Sequence, residues 1–272
     1  MGQVMAANLA AAGFSVQSYD VKKTGNRKSA ADAAKGADAL ITMLPDGDAV
    51  QEAVLDALPA LKSGAVVIDM SSSDPAGTRA LGLALSKTKI LMVDAPVSGA
   101  RFKAKDGTLA IMVGGEKTVF EKILPVLQKL GNQIFHVGPL GAGHAVKALN
   151  NYLGAAGTLA GFEALLIAQA LGLDPKSMLE AINASTGRNS TTVRKIPRDV
   201  LTGAFASGFK LALMAKDIGI AAGLAKGLRV KAPYLKETLK LWRRAQKKLK
   251  RDADHTEIYR YLESLNKPKR TR

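Results

Sequence analysis

The chain has 272 residues, 47% of them hydrophobic, which is enough apolar material for one large or two modest cores. It contains no cysteine, which excludes disulfide frameworks and cysteine–metal clusters and suits a reducing cytoplasm. Its three histidines (His136, His144 and His255) show no metal-ligand spacing, so no metal site is expected. The net charge of +16 raises anionic partners, but residues 226–272 carry 16 Lys/Arg against 5 Asp/Glu with no interleaved aromatic platform. That pattern reads as a solvated helix face and tail, and a nucleic-acid partner is not expected.

No apolar run reaches the roughly 18 residues of a membrane span, and the N-terminus lacks a signal-peptide pattern, so no membrane partner is expected. In chain order, Met1 to Ala12 carries apolar residues at helical spacing and Gly13 stops it. Phe14 to Asp20 alternates like a strand and ends on an acid. A helix opening at Gly2, a strand and then Asp20 form the second half of a dinucleotide-binding βαβ unit. The first strand and the first two glycines of G-x-G-x-x-G would precede Met1, so the motif reads as N-terminally truncated, with Gly2 in the third glycine position.

Strands are expected at 37–43, 64–70, 90–94, 109–115 and 133–137, alternating with helices at 48–61, 75–87 and 116–130. This alternation predicts a mostly parallel sheet with helices on both faces. The polar turn Ser71-Ser72-Ser73-Asp74-Pro75 suits a helix cap. After Gly143 no strand pattern recurs. One long helix over 145–171 is expected, then helices opening at Pro175 and covering 191–202, 211–227, 233–249 and 256–265. The chain therefore divides into an α/β Rossmann-type domain, 1–143, and an all-α domain, 144–272, joined through the long helix.

The stretch Gly138 to Asn151 organises the rest. A glycine-rich turn enters the long helix, which carries Lys147 and, four residues on, Asn151. Four residues turn about 400° and rise about 6 Å, so the two share a face. The positive end of a helix dipole disfavours a cation nearby, as a general acid/base lysine requires. By itself Lys147 is an ordinary surface lysine, Ser98-Gly99 a turn, Ser71–Ser73 a cap and Lys216-Asp217 an exposed pair. What changes these readings is their occurrence together and in order. Leu44-Pro45, Ser71-Ser72-Ser73 and Asp94-Ala-Pro-Val-Ser-Gly99 each follow a strand, and ligands of open α/β sheets bind at such strand ends.

This ordered set resembles the β-hydroxyacid dehydrogenase family, the 3-hydroxyisobutyrate dehydrogenase-like enzymes with a 6-phosphogluconate dehydrogenase-like C-terminal domain. The resemblance runs from Met1 to about Leu262. It rests on Asp94 to Gly99 followed by Gly107-Thr-Leu109 and Met112-Val-Gly-Gly115, on Gly141-x-Gly143-x-x-x-Lys147-x-x-x-Asn151, and on Lys216-Asp217. It implies an NAD(P)-dependent oxidoreductase that interconverts a small anionic β-hydroxy acid and its semialdehyde or keto acid, with Lys147 as general acid/base. Asn151 and the loop Ser98, Gly99 and Ala100 would bind substrate, Ala100 standing where glycine is common. Met1, Gly2, Asp20, Leu44, Pro45, Ser72, Lys216 and Asp217 would bind cofactor, Asp217 also orienting Lys216 or its neighbours. Asp20 would meet a ribose 2′-hydroxyl and favour NAD, while Lys22, Lys23 and Arg27 leave NADP admissible. The family also implies a homodimer or homotetramer in the cytoplasm. Two other readings remain at this stage. One is a non-catalytic, truncated cofactor-binding or scaffold protein with a basic C-terminal surface. The other is an imine-reductase-like relative, against which the retained Lys147 argues.

Overall fold

A computed structural model describes residues 1–22 and 24–266. Lys23, read above as leaving room for NADP, and the last six basic-rich residues lie outside the described residues. Internal packing divides the chain into two units, Met1–Lys147 and Ala148–Arg272.

The first unit is built on a six-stranded sheet: β1 (Ala39–Thr42), β2 (Val66–Asp69), β3 (Leu91–Asp94), β4 (Val97–Ser98), β5 (Leu109–Gly114) and β6 (Gly131–Gly138). The order is β1-β2-β3-β5-β4, with β6 also paired to β5. β1, β2 and β3 run parallel, as do β5 and β6, whereas β5 is antiparallel to β3 and β4. The sheet is therefore mixed: three of its five pairings are parallel, as expected, and the antiparallel ones are the two that β5 makes with β3 and β4. A two-residue strand, β4, and a short helix, α5 (Ala100–Lys105), occupy the Asp94–Gly107 connection, which lacks any periodic signal in the sequence. Val66 and Ile68 face one core, with Met5 and Leu9 of α1 (Gly2–Ala11) and Val119, Ile123 and Leu127 of α6 (Lys117–Leu127). Val67 faces the other, with Val50 and Val54 of α3 (Gly47–Ala57) and Leu81 and Leu85 of α4 (Pro75–Ser86). A strand buried on both faces reads as a continuous apolar run, which is why 64–70 is legible from sequence. Asp46 and Asp74 cap α3 and α4 by accepting their first free amides.

The alternating segment Phe14–Asp20 does not join the sheet. Its polar groups are engaged locally: Ser18 N–H donates to Asn26 Oδ1 at 2.8 Å, and Arg27 N–H donates to the Ser18 carbonyl at 3.0 Å. Alternation alone makes no strand, because a ladder needs a neighbour to receive its backbone groups. Among the described residues β1 has β2 as its only strand partner.

The second unit is helical. Its core gathers the long α7 (Ala142–Ala170), α8 (Pro175–Asn183), a π-helix at Thr191–Val200, α9 (Leu211–Gly227), α10 (Pro233–Lys248) and α11 (Ile258–Leu265), packed around Phe162, Leu165, Ile196, Ile218 and Trp242. By length and mean hydropathy alone α7 passes for a membrane span, although Lys147 and Glu163 interrupt it and no uninterrupted apolar run in it reaches 18 residues. Ala155, Leu159, Phe162 and Leu165 of that helix lie in the core, so its apolar character has a packing role.

Candidate active site

Four strand-end or helix-entry segments of the first unit are joined by two buried carboxylates. Asp69 and Asp94 close β2 and β3 side by side in register, and both are fully buried. Asp69 accepts from Thr42 Oγ1 at 2.8 Å, Ser71 N–H at 3.0 Å and Ser73 Oγ at 2.9 Å. Ser71 Oγ in turn accepts from the Leu44 amide at 2.9 Å. The Leu44-Pro45 turn and the serine turn are thus fixed to one another. Of the three serines, Ser71 and Ser73 are buried in this network, and Ser72 is the half-buried one.

Asp94 accepts from the Gly141 and His144 amides, each at 2.6 Å. Burial raises its pKa, opposed by His144 and by these amides. The positive end of α7 therefore meets a buried carboxylate. Lys147, the sixth residue of α7, stands a turn further into the helix than that contact. The buried His144 ring lies between the acids, 3.6 Å from Asp69 Oδ2 and 3.7 Å from Asp94 Oδ2, with Nδ1 2.9 Å from Thr78 Oγ1.

Close approach explains the glycines here. A side chain on Gly143 would collide with the Met112 carbonyl and the Asp94 carboxylate, and one on Gly114 would collide with Asp94 and the Pro139 carbonyl. Gly141 has φ +90, a conformation glycine adopts freely.

Ser98 belongs to β4 and pairs with Ala110, and Gly99 follows with φ +139. Ala100 adopts φ 58, left-handed and strained for a residue with a Cβ, at the position where the sequence departs from the family pattern. All three are half-buried. Gly2 opens α1, whose first turn has neither a side-chain cap nor an acidic residue. A Cβ on Gly2 would meet only Met43 of the Leu44-Pro45 turn, at 3.5 Å. An approachable, uncapped helix start suits a pyrophosphate, so the residues present fit a dinucleotide. Asp20 is exposed and accepts from the Lys22 amide at 2.7 Å.

In the second unit, Asn151 is buried and donates through Nδ2 to Asp217 Oδ2 at 2.5 Å. Asn150 Nδ2 donates to Asn151 Oδ1 at 3.1 Å. Lys216 Nζ lies 3.3 Å from Asp217 Oδ1. Asp217 is itself buried, with one carboxylate oxygen accepting from Asn151 and the other facing Lys216. Sequence reasoning missed the parts played by Asp69, Asp94 and His144. The available signal was an acid ending each of two apolar strands, since a carboxylate in that position must find donors.

The sequence signature of the NAD binding domain of 6-phosphogluconate dehydrogenase matches residues 1–138, and that described as NAD-binding of NADP-dependent 3-hydroxyisobutyrate dehydrogenase matches residues 141–262. The 2-(hydroxymethyl)glutarate dehydrogenase of Eubacterium barkeri is 38% identical over 247 residues, covering 86% of this chain and 82% of that one. The NAD-dependent L-serine dehydrogenase of Pseudomonas aeruginosa is 35% identical over 262 residues, covering 89% and 88%. A solved structure of Mycobacterium tuberculosis 3-hydroxyisobutyrate dehydrogenase with L-serine superposes with a TM-score of 0.89 at 32% identity, covering 96% of this chain and 95% of that one.

Proposed function

The chain belongs to the β-hydroxyacid dehydrogenase family, and from that premise we propose that it is an NAD(P)-dependent oxidoreductase interconverting a short β-hydroxy acid and its semialdehyde or keto acid. In this reading NAD is the preferred cofactor and NADP is admitted. The carboxylate of Asp20 suits a ribose 2′-hydroxyl and would repel a 2′-phosphate. When bound, the nicotinamide exchanges a hydride with the carbinol carbon of the substrate.

The observation that carries the reading is on α7. Lys147 and Asn151 are one turn apart, and Asn151 is fixed by the buried Asp217 carboxylate. Lys147 takes the hydroxyl proton in oxidation and returns it in reduction. Asn151 holds the substrate oxygen, and the Ser98–Ala100 loop receives the carboxylate through its hydroxyl and backbone amides. The start of α1 at Met1 and Gly2, the Leu44-Pro45 turn, Ser72 and Lys216 hold the cofactor, while Asp217 positions Asn151 and Lys216. Imine-reductase chemistry is disfavoured by the lysine retained at 147.

The test is nicotinamide reduction followed at 340 nm over a panel of small β-hydroxy acids. Lys147→Ala is expected to lower kcat by about 10²- to 10⁴-fold, the usual contribution of a general acid/base. Wild-type turnover in that variant would end the mechanism.

The reading includes a homodimer or homotetramer in the cytoplasm. Val146, Leu149, Leu153, Ile167 and Leu171 are exposed apolar side chains spaced along α7 and its end, a stripe suited to a second copy. Light scattering on the purified chain is expected to give at least twice the monomer mass of 28.6 kDa. A monomer at micromolar concentration would refute the dimer.

A further inference from the structure

The helical unit holds an ammonium group for which the proposed reaction has no use. Lys195 lies half-buried on the π-helix, a conformation over-represented at functional sites. Its Nζ donates to Thr158 Oγ1 at 2.6 Å. Thr158 is fully buried, donates to the Gly154 carbonyl at 2.7 Å and lies 3.2 Å from Thr191 Oγ1. These neighbours are neutral hydroxyls. No carboxylate among the described residues pairs with Lys195. Asp199 is bound to Arg198 at 2.9 Å, and Asp254 accepts from Ser207, Gly208 and Thr256, so both act on the amine only at longer range. Burial, reinforced by Arg194, lowers the amine to about 8, which leaves it mostly charged at neutral pH. A half-buried cation set among hydroxyls, with no carboxylate in direct contact, gains from an anion that meets it.

Its placement says which anion. Thr158 follows Asn151 by seven residues of α7, which is about 700° of rotation and about 10 Å of rise, so both lie on one stripe of the helix. In a β-hydroxy acid bearing a further arm of two methylenes and a carboxylate, the hydroxyl oxygen and the distal carboxylate lie up to about 7 Å apart, and a hydrogen bond of about 2.8 Å at each end gives a reach of up to about 13 Å, which covers that rise. We propose that Lys195, flanked by Thr158 and Thr191, receives the second carboxylate of a dicarboxylic β-hydroxy acid whose hydroxyl end is held at Asn151. The assignment rests on the hydroxy-acid reading above and makes Lys195 a specificity-determining residue within it.

Two measurements on the full chain separate this assignment from that reading. The first is binding of glutarate and butyrate, which lack a carbinol and cannot react, followed by calorimetry. Glutarate is expected to bind about ten- to a hundredfold more tightly, the worth of one charge-assisted hydrogen bond, and Lys195→Met should abolish that difference while Lys195→Arg keeps it. The second is the ratio of kcat/KM for 2-(hydroxymethyl)glutarate to that for 3-hydroxyisobutyrate, which share the reacting half. The ratio should fall by the same factor in Lys195→Met and persist in Lys195→Arg. Equal binding of glutarate and butyrate by the wild-type protein overturns the assignment without any variant, as does an unchanged ratio in a folded Lys195→Met. A glutarate preference that depends on Lys195, with neither hydroxy acid turned over, would uphold the anion site and sink the dehydrogenase reading alone.

Discussion

Asp94 is the residue on which most of the first unit's site geometry depends. A carboxylate with no water around it is tolerated only when donors fill its lone pairs, and the Gly141 and His144 amides do so at 2.6 Å each. Asparagine at this position would offer one acceptor and set an NH₂ group against the other amide. Asp94→Asn is therefore expected to destabilise the protein by about 2–3 kcal/mol, the cost of a buried donor left unmet, read as a lower denaturant midpoint at unchanged slope. A midpoint equal to wild type would show that these amides find other acceptors. Ala100 and Lys195 extend the lesson at this scale. A strained backbone and an uncompensated charge mark residues whose surroundings are built for something besides folding. The sequence marks Ala100 only as an alanine where glycine is common and Lys195 only as part of a basic-looking run; the strain of one and the surroundings of the other appear only in the structure.

At the scale of elements, α7 is where packing and chemistry coincide. Its first turn is pinned by Asp94, its next carries Lys147 and Asn151, and further along its inner face enters the helical core. The turn that launches it admits no Cβ at Gly143, where the obstacles are the Met112 carbonyl and the Asp94 carboxylate rather than a movable side-chain tip. Gly143→Ala must push the helix start away from the sheet. It is expected to cost about 1–3 kcal/mol, as overpacking does, and to lower kcat because Lys147 moves with the turn. A variant with wild-type melting temperature and kcat would refute both. Strands 64–70 and 109–115 were legible because burial on one or both faces leaves an apolar run. The long helix was legible from its period and its glycine entry. The segment Phe14–Asp20 misled because alternation reports a preference that only a neighbouring strand can realise, and β4 with α5 was missed because two- and six-residue elements are set by their partners rather than by any period of their own.

For the whole molecule, the helical unit carries a pH-dependent liability. His255 is buried, stacked on Trp242, with Nδ1 2.8 Å from Ser207 Oγ. Desolvation, aided by Lys195, pushes its pKa from 6.5 down to about 4. Between those values the unfolded chain takes up a proton that the folded one refuses. This contribution to stability is therefore complete above pH 6.5 and is lost as pH falls towards 4, by at most about 1.4 kcal/mol per pH unit. Asp254, whose pKa is lowered from 3.8, adds its own loss only below that window. Denaturant melts at pH 7, 5.5 and 4.5 should show the decline, and His255→Gln, though less stable at pH 7, should flatten it. An equal slope in the variant would assign the acid sensitivity elsewhere.

The sequence by itself determined the class of fold and the family, and it supplied the residues proposed for the reaction. Hydrophobic period, glycine placement and motif order are local properties of a chain, and they survive without coordinates. Only the tertiary structure decided that the sheet is mixed and that Asp94 rather than Lys147 meets the positive end of α7. It also decided that Asp217 holds Asn151, and that Lys195 lies among hydroxyls with no counter-ion. Each of these depends on which distant groups share a space closed to water, where an electrostatic or hydrogen-bond partner is worth far more than in solution, and no spacing along the chain encodes that distance.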